Sequence, residues 1–271
     1  MDYSILGISN DTALSVKRCL DCGFVFVNPR LKPEFGLRVY NECKQRMYER
    51  KSYLTSIGTK ENLLETRKRK LSYIGLLLET LSHVSLEKED LTLFDYGCGF
   101  GYSMSLALEL GIKAFGVDID EERLTVCRRL GLNVATPAQF DQEFPKVRAD
   151  IVLLQSNIEH VLDLQGTMRY LEEKSNDHAV LYVNGLTPKI IKIEKRRNTF
   201  VKAHFVEHVN YFPIKTLDFF MAKHDFYPVS LNPGGLAGWM RYVSRLLRAY
   251  VASSQGTFAR IYRYRSRREN P

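Results

Sequence analysis

The chain has 271 residues, enough for one α/β domain with additions or for two small domains. Its 45% hydrophobic and 26% charged residues are those of an ordinary soluble protein. Its apolar runs, such as Ile74–Leu78 and Ile151–Leu154, are too short to span a bilayer. The net charge of +8 is concentrated from Leu236 to Pro271, where eight arginines face one acid, Glu269; this speaks against a uniformly basic nucleic-acid binder. Met1-Asp2-Tyr3-Ser4 lacks the basic start of a signal peptide, so a cytoplasmic location is expected. Five cysteines, an odd number with one close pair, argue against a disulfide framework.

Residues 1–30 read as short strands around Cys19-Leu-Asp-Cys22-Gly23, with Val16–Arg18 leading in, Phe24–Val27 leading out and Asn28-Pro29 ending the run. From Pro33 to about Tyr53 the chain reads as helical and tyrosine-rich, and Glu61–Leu81 carries a helical stripe of Leu64, Leu71, Ile74, Leu78 and Leu81. Then the period changes. Strands are predicted at Leu91–Asp95, Lys113–Val117, Asn133–Ala135, Asp150–Leu154 and Ala179–Val183. Helices between them are predicted at Tyr102–Leu110 and Glu121–Leu130, stopped by Gly111 and Gly131, and at Leu162–Lys174. Such alternation predicts a doubly wound α/β fold, a seven-stranded, mostly parallel sheet with helices on both faces. A helix at Ile214–His224, a strand at Phe226–Leu231, a basic amphipathic helix at 236–252 and a closing strand at 257–265 complete the chain. The expected division is a knuckle with cap helices over 1–60 and the α/β domain over 61–271.

Phe94-Asp95-Tyr96-Gly97-Cys98-Gly99-Phe100-Gly101 falls between a predicted strand and a predicted helix. Three glycines at alternate positions allow a tight turn and let a ligand approach the main chain, with the following helix aiming its N-terminus at it. In dinucleotide enzymes this corner holds a pyrophosphate. Here Asp95 precedes the first glycine by two residues, which suits a ligand bearing an ammonium group. Gly116-Val117-Asp118 ends the next strand, and Asp118 follows Asp95 by 23 residues. A carboxylate at that strand tip accepts protons from both ribose hydroxyls. Capping the next helix is the alternative role for it, but Asp120 suits that role better.

Together with Ser156-Asn157-Ile158-Glu159-His160-Val161, these motifs resemble the class I S-adenosylmethionine-dependent methyltransferases. The Cys-x-x-Cys-Gly-Phe-Val-Phe-Val-Asn-Pro-Arg segment and His208-Val-Asn-Tyr-Phe-Pro are similar to the branch with an N-terminal zinc ribbon, often associated with sugar and polysaccharide modification. The resemblance implies S-adenosylmethionine as cofactor and S-adenosylhomocysteine as product. It implies that Asp95, Gly97, Cys98, Gly99, Gly101 and Tyr102 hold the methionyl part, Asp118 the ribose and Ile119 the adenine face. Ala138 and Gln139 would lie at the adenine edge, and Gln155, Ser156 and Asn157 would line the cofactor.

His160 and Glu159 are the foremost catalytic candidates, with His208 and Tyr211 next and His204 and Glu207 behind them. A histidine there is either a general base or a helix cap. Methyl transfer from a sulfonium also proceeds by positioning alone. Cys19 and Cys22 supply half of a four-ligand zinc site, and the partner pair is missing, so no metal is expected. Lys189, Lys192, Lys195, Arg196 and Arg197 form a basic run that is either a solvated helix face or a binding surface for an anionic acceptor. The helix at 236–252 either packs on protein or meets a membrane surface. The expected activity is methyl transfer to an oxygen of a small polar acceptor, a nucleotide- or lipid-linked sugar being the first choice. RNA methylation and a non-catalytic cofactor-binding protein are the alternatives, and nucleic acid is not the expected partner.

Overall fold

The computed structural model describes residues 15–30, 73, 75–84, 90–197, 207–229 and 256–265. The helices expected at 33–53 and 236–252, His204, and most of the stripe at 61–81 lie outside these residues.

β1 (Ser15–Arg18) and β2 (Val25–Asn28) fall where short strands were expected, and they pair antiparallel as a hairpin. Its Cys19–Gly23 turn is closed by main-chain bonds, Cys19 N donating to Phe24 O at 2.8 Å and Gly23 N to Cys19 O at 3.0 Å. A helix, α1, covers residues 75–81. There follow β3 (Thr92–Tyr96), α2 (Tyr102–Glu109), β4 (Lys113–Val117), α3 (Glu121–Arg129), β5 (Asn133–Ala135), α4 (Pro137–Glu143), β6 (Ala149–Gln155), α5 (Leu164–Lys174), β7 (Ser175–Leu186) and α6 (Lys189–Arg197). β8 (Asn210–Tyr211), α7 (Ile214–Ala222), β9 (Phe226–Pro228) and β10 (Thr257–Tyr264) complete them.

Seven strands form one sheet in the order β5-β4-β3-β6-β7-β10-β9. β3 to β7 are parallel, and β10 runs antiparallel to both β7 and β9. The two-residue period of a strand sends neighbours to opposite faces. Leu93, Ile151, Leu153 and Val180 pack under α1, α2 and α3 with Leu77, Met104 and Leu124. Phe94, Val152, Leu154 and Leu181 pack on the other face with Phe140, Met168 and Leu217. These strands are buried on both faces, which is why they read as unbroken apolar runs.

The structure corrects several expectations. β7 begins at Ser175 rather than Ala179: the Asp150 carboxylate accepts from Asn176 Nδ2 at 2.7 Å and from Thr92 N at 3.0 Å, which holds the polar start of β7 against its neighbours. β9 spans Phe226–Pro228, and Val229 N still donates to Ile261 O of β10 at 3.0 Å; the expected end at Leu231 lies outside the described residues. α4 was not anticipated, although Thr136-Pro137 is a helix start: the Thr136 hydroxyl donates to Gln139 Oε1 at 2.8 Å. β8 was not anticipated because two residues show no alternation.

β8 pairs with β2, Val25 opposite Tyr211, so the knuckle shares a three-stranded sheet with the remainder of the chain across the boundary expected near residue 60. Thr216 Oγ1 adds a hydrogen bond to Cys22 O. Among the described residues no helix is long and apolar enough to cross a membrane.

Asp218 of α7 accepts from the Tyr262 hydroxyl and from Arg260 Nη2, both at 2.7 Å. Tyr262 is fully buried, so Asp218→Ala leaves its hydroxyl without that partner in the core. The expected loss of unfolding free energy is about 2 kcal/mol, against about 1 kcal/mol for Tyr262→Phe. Urea titrations of both variants check this, and equal losses would show that the hydroxyl alone matters.

Candidate active site

β3 delivers Asp95 to the carboxyl edge of the sheet, in register with Gly116 of β4 and Leu153 of β6. The chain then turns. Gly97 N and Cys98 N both donate to Val117 O, at 2.8 and 2.9 Å, so the loop hangs on the tip of β4. Gly97 has φ +83, and a Cβ there would lie 1.8 Å from Asn157 Nδ2. The position therefore requires glycine twice over, for its backbone and for the approach of Asn157. Gly101 caps α2 without a side-chain bond, leaving the helix N-terminus open.

That N-terminus meets a cavity of about 270 Å³ lined by Asp95, Gly97, Cys98, Gly99, Tyr102, Gln155 and Ser156 from the expected set, together with Tyr73, Phe100, Ser103 and Arg123. The Asp95 carboxylate is 3% exposed. Burial, and then the charge of Asp118, push it up to about 7. Among the described residues no cation or hydrogen-bond donor contacts it. Asp118, 7% exposed, points its oxygens back into the loop: Oδ2 accepts from Gly99 N at 2.8 Å and Oδ1 from Asp120 N at 2.9 Å. Burial raises its pKa more than these amides lower it. Asp120 caps α3 by accepting from Arg123 N at 3.3 Å, as expected, and Ile119 beside it is 49% exposed. Gly101, Asp118, Ile119, Ala138, Gln139 and Asn157 do not line the cavity itself. Gln139 is instead engaged in the cap of α4.

Beyond Gln155 the chain makes a second cluster. His160 N donates to Asn157 O at 2.8 Å, and His160 Nδ1 lies 3.1 Å from Glu207 O. The rings of His160 and His208 sit 4.6 Å apart. Val209 N and Asn210 N donate to Glu159 O at 2.7 and 3.2 Å. Asn210 Nδ2 reaches Ile158 O and Val161 O at 3.0 and 2.6 Å, and Arg30 of the knuckle holds Asn210 Oδ1 at 2.6 Å. Burial and the neighbouring His208 hold the His160 imidazolium down to about 3, against a smaller opposite pull from the Glu207 carbonyl. The ring is therefore neutral at physiological pH and a weak base, which does not favour the proton-accepting role considered for it. Tyr211 is 0% exposed, packed with Val25, Leu186 and Ile190. Burial first, then Glu194 and Glu159, raise its pKa well above the usual phenol.

The family described as "Methyltransferase domain" matches residues 64–231, well over half of the chain. The chain belongs to this methyltransferase family. No curated protein sequence matches it. Among solved structures, the methyltransferase shares its fold with the plantazolicin methyltransferase BamL in complex with a triazolic desmethylPZN analog and SAH, at 13% identity and TM-score 0.53 over 78% of this chain and 93% of that one. The plantazolicin methyltransferase BpumL gives 12% identity and TM-score 0.51 over 85% and 96%. A chain of the Haloferax volcanii complex between the Trm112 methyltransferase activator and a methyltransferase gives 13% and 0.51 over 74% and 94%.

The methyl donor of this methyltransferase is S-adenosylmethionine, and the cavity fits it. A buried carboxylate that no cation among the described residues contacts suits the ammonium group, and the uncapped N-terminus of α2 suits the carboxylate. Sequence reasoning missed Arg123, Phe100, Ser103 and Tyr73. Arg123 is three residues past the cap Asp120, where a helix's first turn leans over the strand tip. Its guanidinium lies 5.4 Å from the Phe100 ring centroid. Tyr73 stacks on Tyr102 at 6.0 Å, a contact between distant segments with no local mark.

Proposed function

We propose that this methyltransferase moves the methyl group of S-adenosylmethionine to an oxygen of a small polar acceptor, best a sugar or glycan precursor. In this reading Asp95 holds the donor's ammonium, the N-terminus of α2 its carboxylate, Asp118 the ribose and Ile119 the adenine face. The observation that carries the acceptor side is the polar cluster that Glu159 and His160, in the turn that follows the cavity residues Gln155 and Ser156, form with His208 from the segment before β8. The knuckle supports it: Arg30 bonds Asn210 and also Leu162 O at 2.8 Å, so the N-terminal segment walls the cluster. α6 supports an anionic acceptor, since it buries Ile190 and Glu194 and leaves Lys189, Lys192, Lys195 and Arg196 exposed in the segment that follows β7. Transfer needs the acceptor oxygen in line with the methyl–sulfur bond, and these residues would orient it there.

Calorimetric titration with S-adenosylhomocysteine, with NAD as control, tests the donor half. Asp118→Ala is expected to weaken binding on the order of 100-fold, the effect of losing charged hydrogen bonds to two hydroxyls. Transfer of labelled methyl to a panel of nucleotide-linked sugars tests the acceptor half. Preference for NAD would overturn the donor assignment, and a panel without labelled product would overturn the sugar reading.

A further inference from the structure

Glu159, His160 and His208 each offer one ligand atom, and these atoms all lie within 4.8 Å of one another. Ligands about 2.1 Å from a shared ion stand about 3 to 4 Å apart, so side-chain adjustments of about 1 Å close the group on a metal. The frame around it is fixed. Glu207 O beside Nδ1 selects the tautomer of His160 that carries its proton there, leaving the Nε2 lone pair as a donor. Glu159 lies over Gly185, where a Cβ would come 3.1 Å from Glu159 Oε2 and 2.7 Å from Ile158 Cγ2; only the missing side chain makes room for the carboxylate. The two segments that supply the ligands are stapled by Val209 N and Asn210 N on Glu159 O, and by Asn210 Nδ2 on Ile158 O and Val161 O. Among the described residues no other group of three or more metal-ligating side chains converges in this way.

We propose that Glu159, His160 and His208 bind one divalent transition-metal ion whose open positions take the oxygen of the methyl acceptor. Two imidazoles and a carboxylate suit zinc, cobalt, iron or manganese better than calcium or magnesium, which prefer all-oxygen sets. Three protein ligands leave at least one position for exchange. The ion would stand beside the donor cavity, because Gln155 at the end of β6 and Ser156 after it line that cavity a few residues before Glu159. In the transfer, the bound hydroxyl gives its proton to solvent and its lone pair forms the bond to the methyl carbon. The carbon–sulfur bond breaks with its electrons left on the thioether. The acceptor's place rests on the function proposed above; the metal site does not.

The test uses the full chain and Co²⁺ as probe, followed by visible d–d absorption and by calorimetry. One equivalent is expected to bind. Glu159→Gln and His208→Gln are each expected to weaken it by at least about tenfold, with S-adenosylhomocysteine affinity held within about twofold as proof of folding. A Cys19→Ser/Cys22→Ser variant keeps the cobalt site. Absent cobalt absorption, cobalt affinity indifferent to both ligand variants, or loss of the site in the cysteine variant would overturn the proposal. A cobalt spectrum that shifts on adding the methylated sugar's parent alcohol supports the acceptor half. An unchanged spectrum with turnover intact overturns that half alone. Failure of S-adenosylhomocysteine to bind the wild type would sink the donor assignment and leave the cobalt result standing.

Discussion

At pH 8, Asp95→Asn is expected to bind S-adenosylhomocysteine on the order of 100-fold more weakly than wild type, yet to melt at a higher temperature when free of ligand. Both effects come from one buried carboxylate that faces a cavity and has no cationic partner among the described residues. Its folded-state pKa, about 7, stands above the ordinary carboxylate value of 3.8. The folded chain therefore holds a proton that the unfolded chain gives up between those values. Asp95's contribution to stability is full below the lower value and is lost as pH rises through the upper one. At pH 8 the charged form weighs against the ligand-free fold by on the order of 4 kcal/mol, which the amide removes. An ammonium reverses the balance by pairing with that charge, and breaking such a buried pair costs about 3–5 kcal/mol. Wild-type affinity should therefore fall up to about tenfold per unit as pH drops below about 7, and level off above it. Calorimetry across that range, with thermal melts of both proteins, checks each half. A wild-type affinity flat through this range, or an amide variant that melts lower, would falsify the assignment.

Gly97→Ala is expected to abolish measurable cofactor binding and to lower stability by about 3 kcal/mol. Gly131→Ala, at nearly the same backbone angle, is expected to lower stability by about 1 kcal/mol with affinity unchanged. Gly131 has φ +74 and nothing within 4 Å of an added Cβ, so it isolates the backbone strain. Gly97 has φ +83 and an Asn157 amide 1.8 Å from the added carbon, so the loop or the turn after β6 must move. Either movement deforms a cavity formed jointly by that loop and by Gln155 and Ser156. Asn157→Ala in the Gly97→Ala background should restore part of the affinity. Identical behaviour of the two alanine variants would show that contact with Asn157 is irrelevant to the site.

Much of the sheet was readable because parallel strands buried on both faces leave apolar runs, and glycines end the helices between them. The glycine loop was readable for a related reason: a backbone that must turn sharply and admit both Asn157 and a ligand leaves no room for side chains. Asp120 as cap and Asp118 as the strand-tip acid were also separable by position. What escaped reading depends on pairings between distant segments. β8 is a strand only because β2 lies beside it. Tyr73 and Arg123 enter the cavity wall by folding. Glu159, His160 and His208 were each visible as polar candidates, but 48 residues separate the second histidine from the first. Their convergence is a product of main-chain bonds from Val209 and Asn210. Tyr211 is the converse case, since a tyrosine three residues past a histidine looks the same in sequence whether it is exposed or fully buried.

β10 lies inside the sheet, between β7 and β9. On a ribosome, β7 emerges complete about 70 residues before the strand that covers its flank, a wait of several seconds at ordinary elongation rates. Through that interval the nascent chain presents a twelve-residue strand, apolar from Ala179 to Val183, with one row of peptide groups unpaired. This is the geometry that recruits neighbouring chains into aggregates. The finished protein keeps β5 and β9 as its margins, three residues each. Slowed translation past residue 186, or scarcity of holdase chaperones, should therefore reduce the yield of soluble protein without altering the stability of molecules already complete.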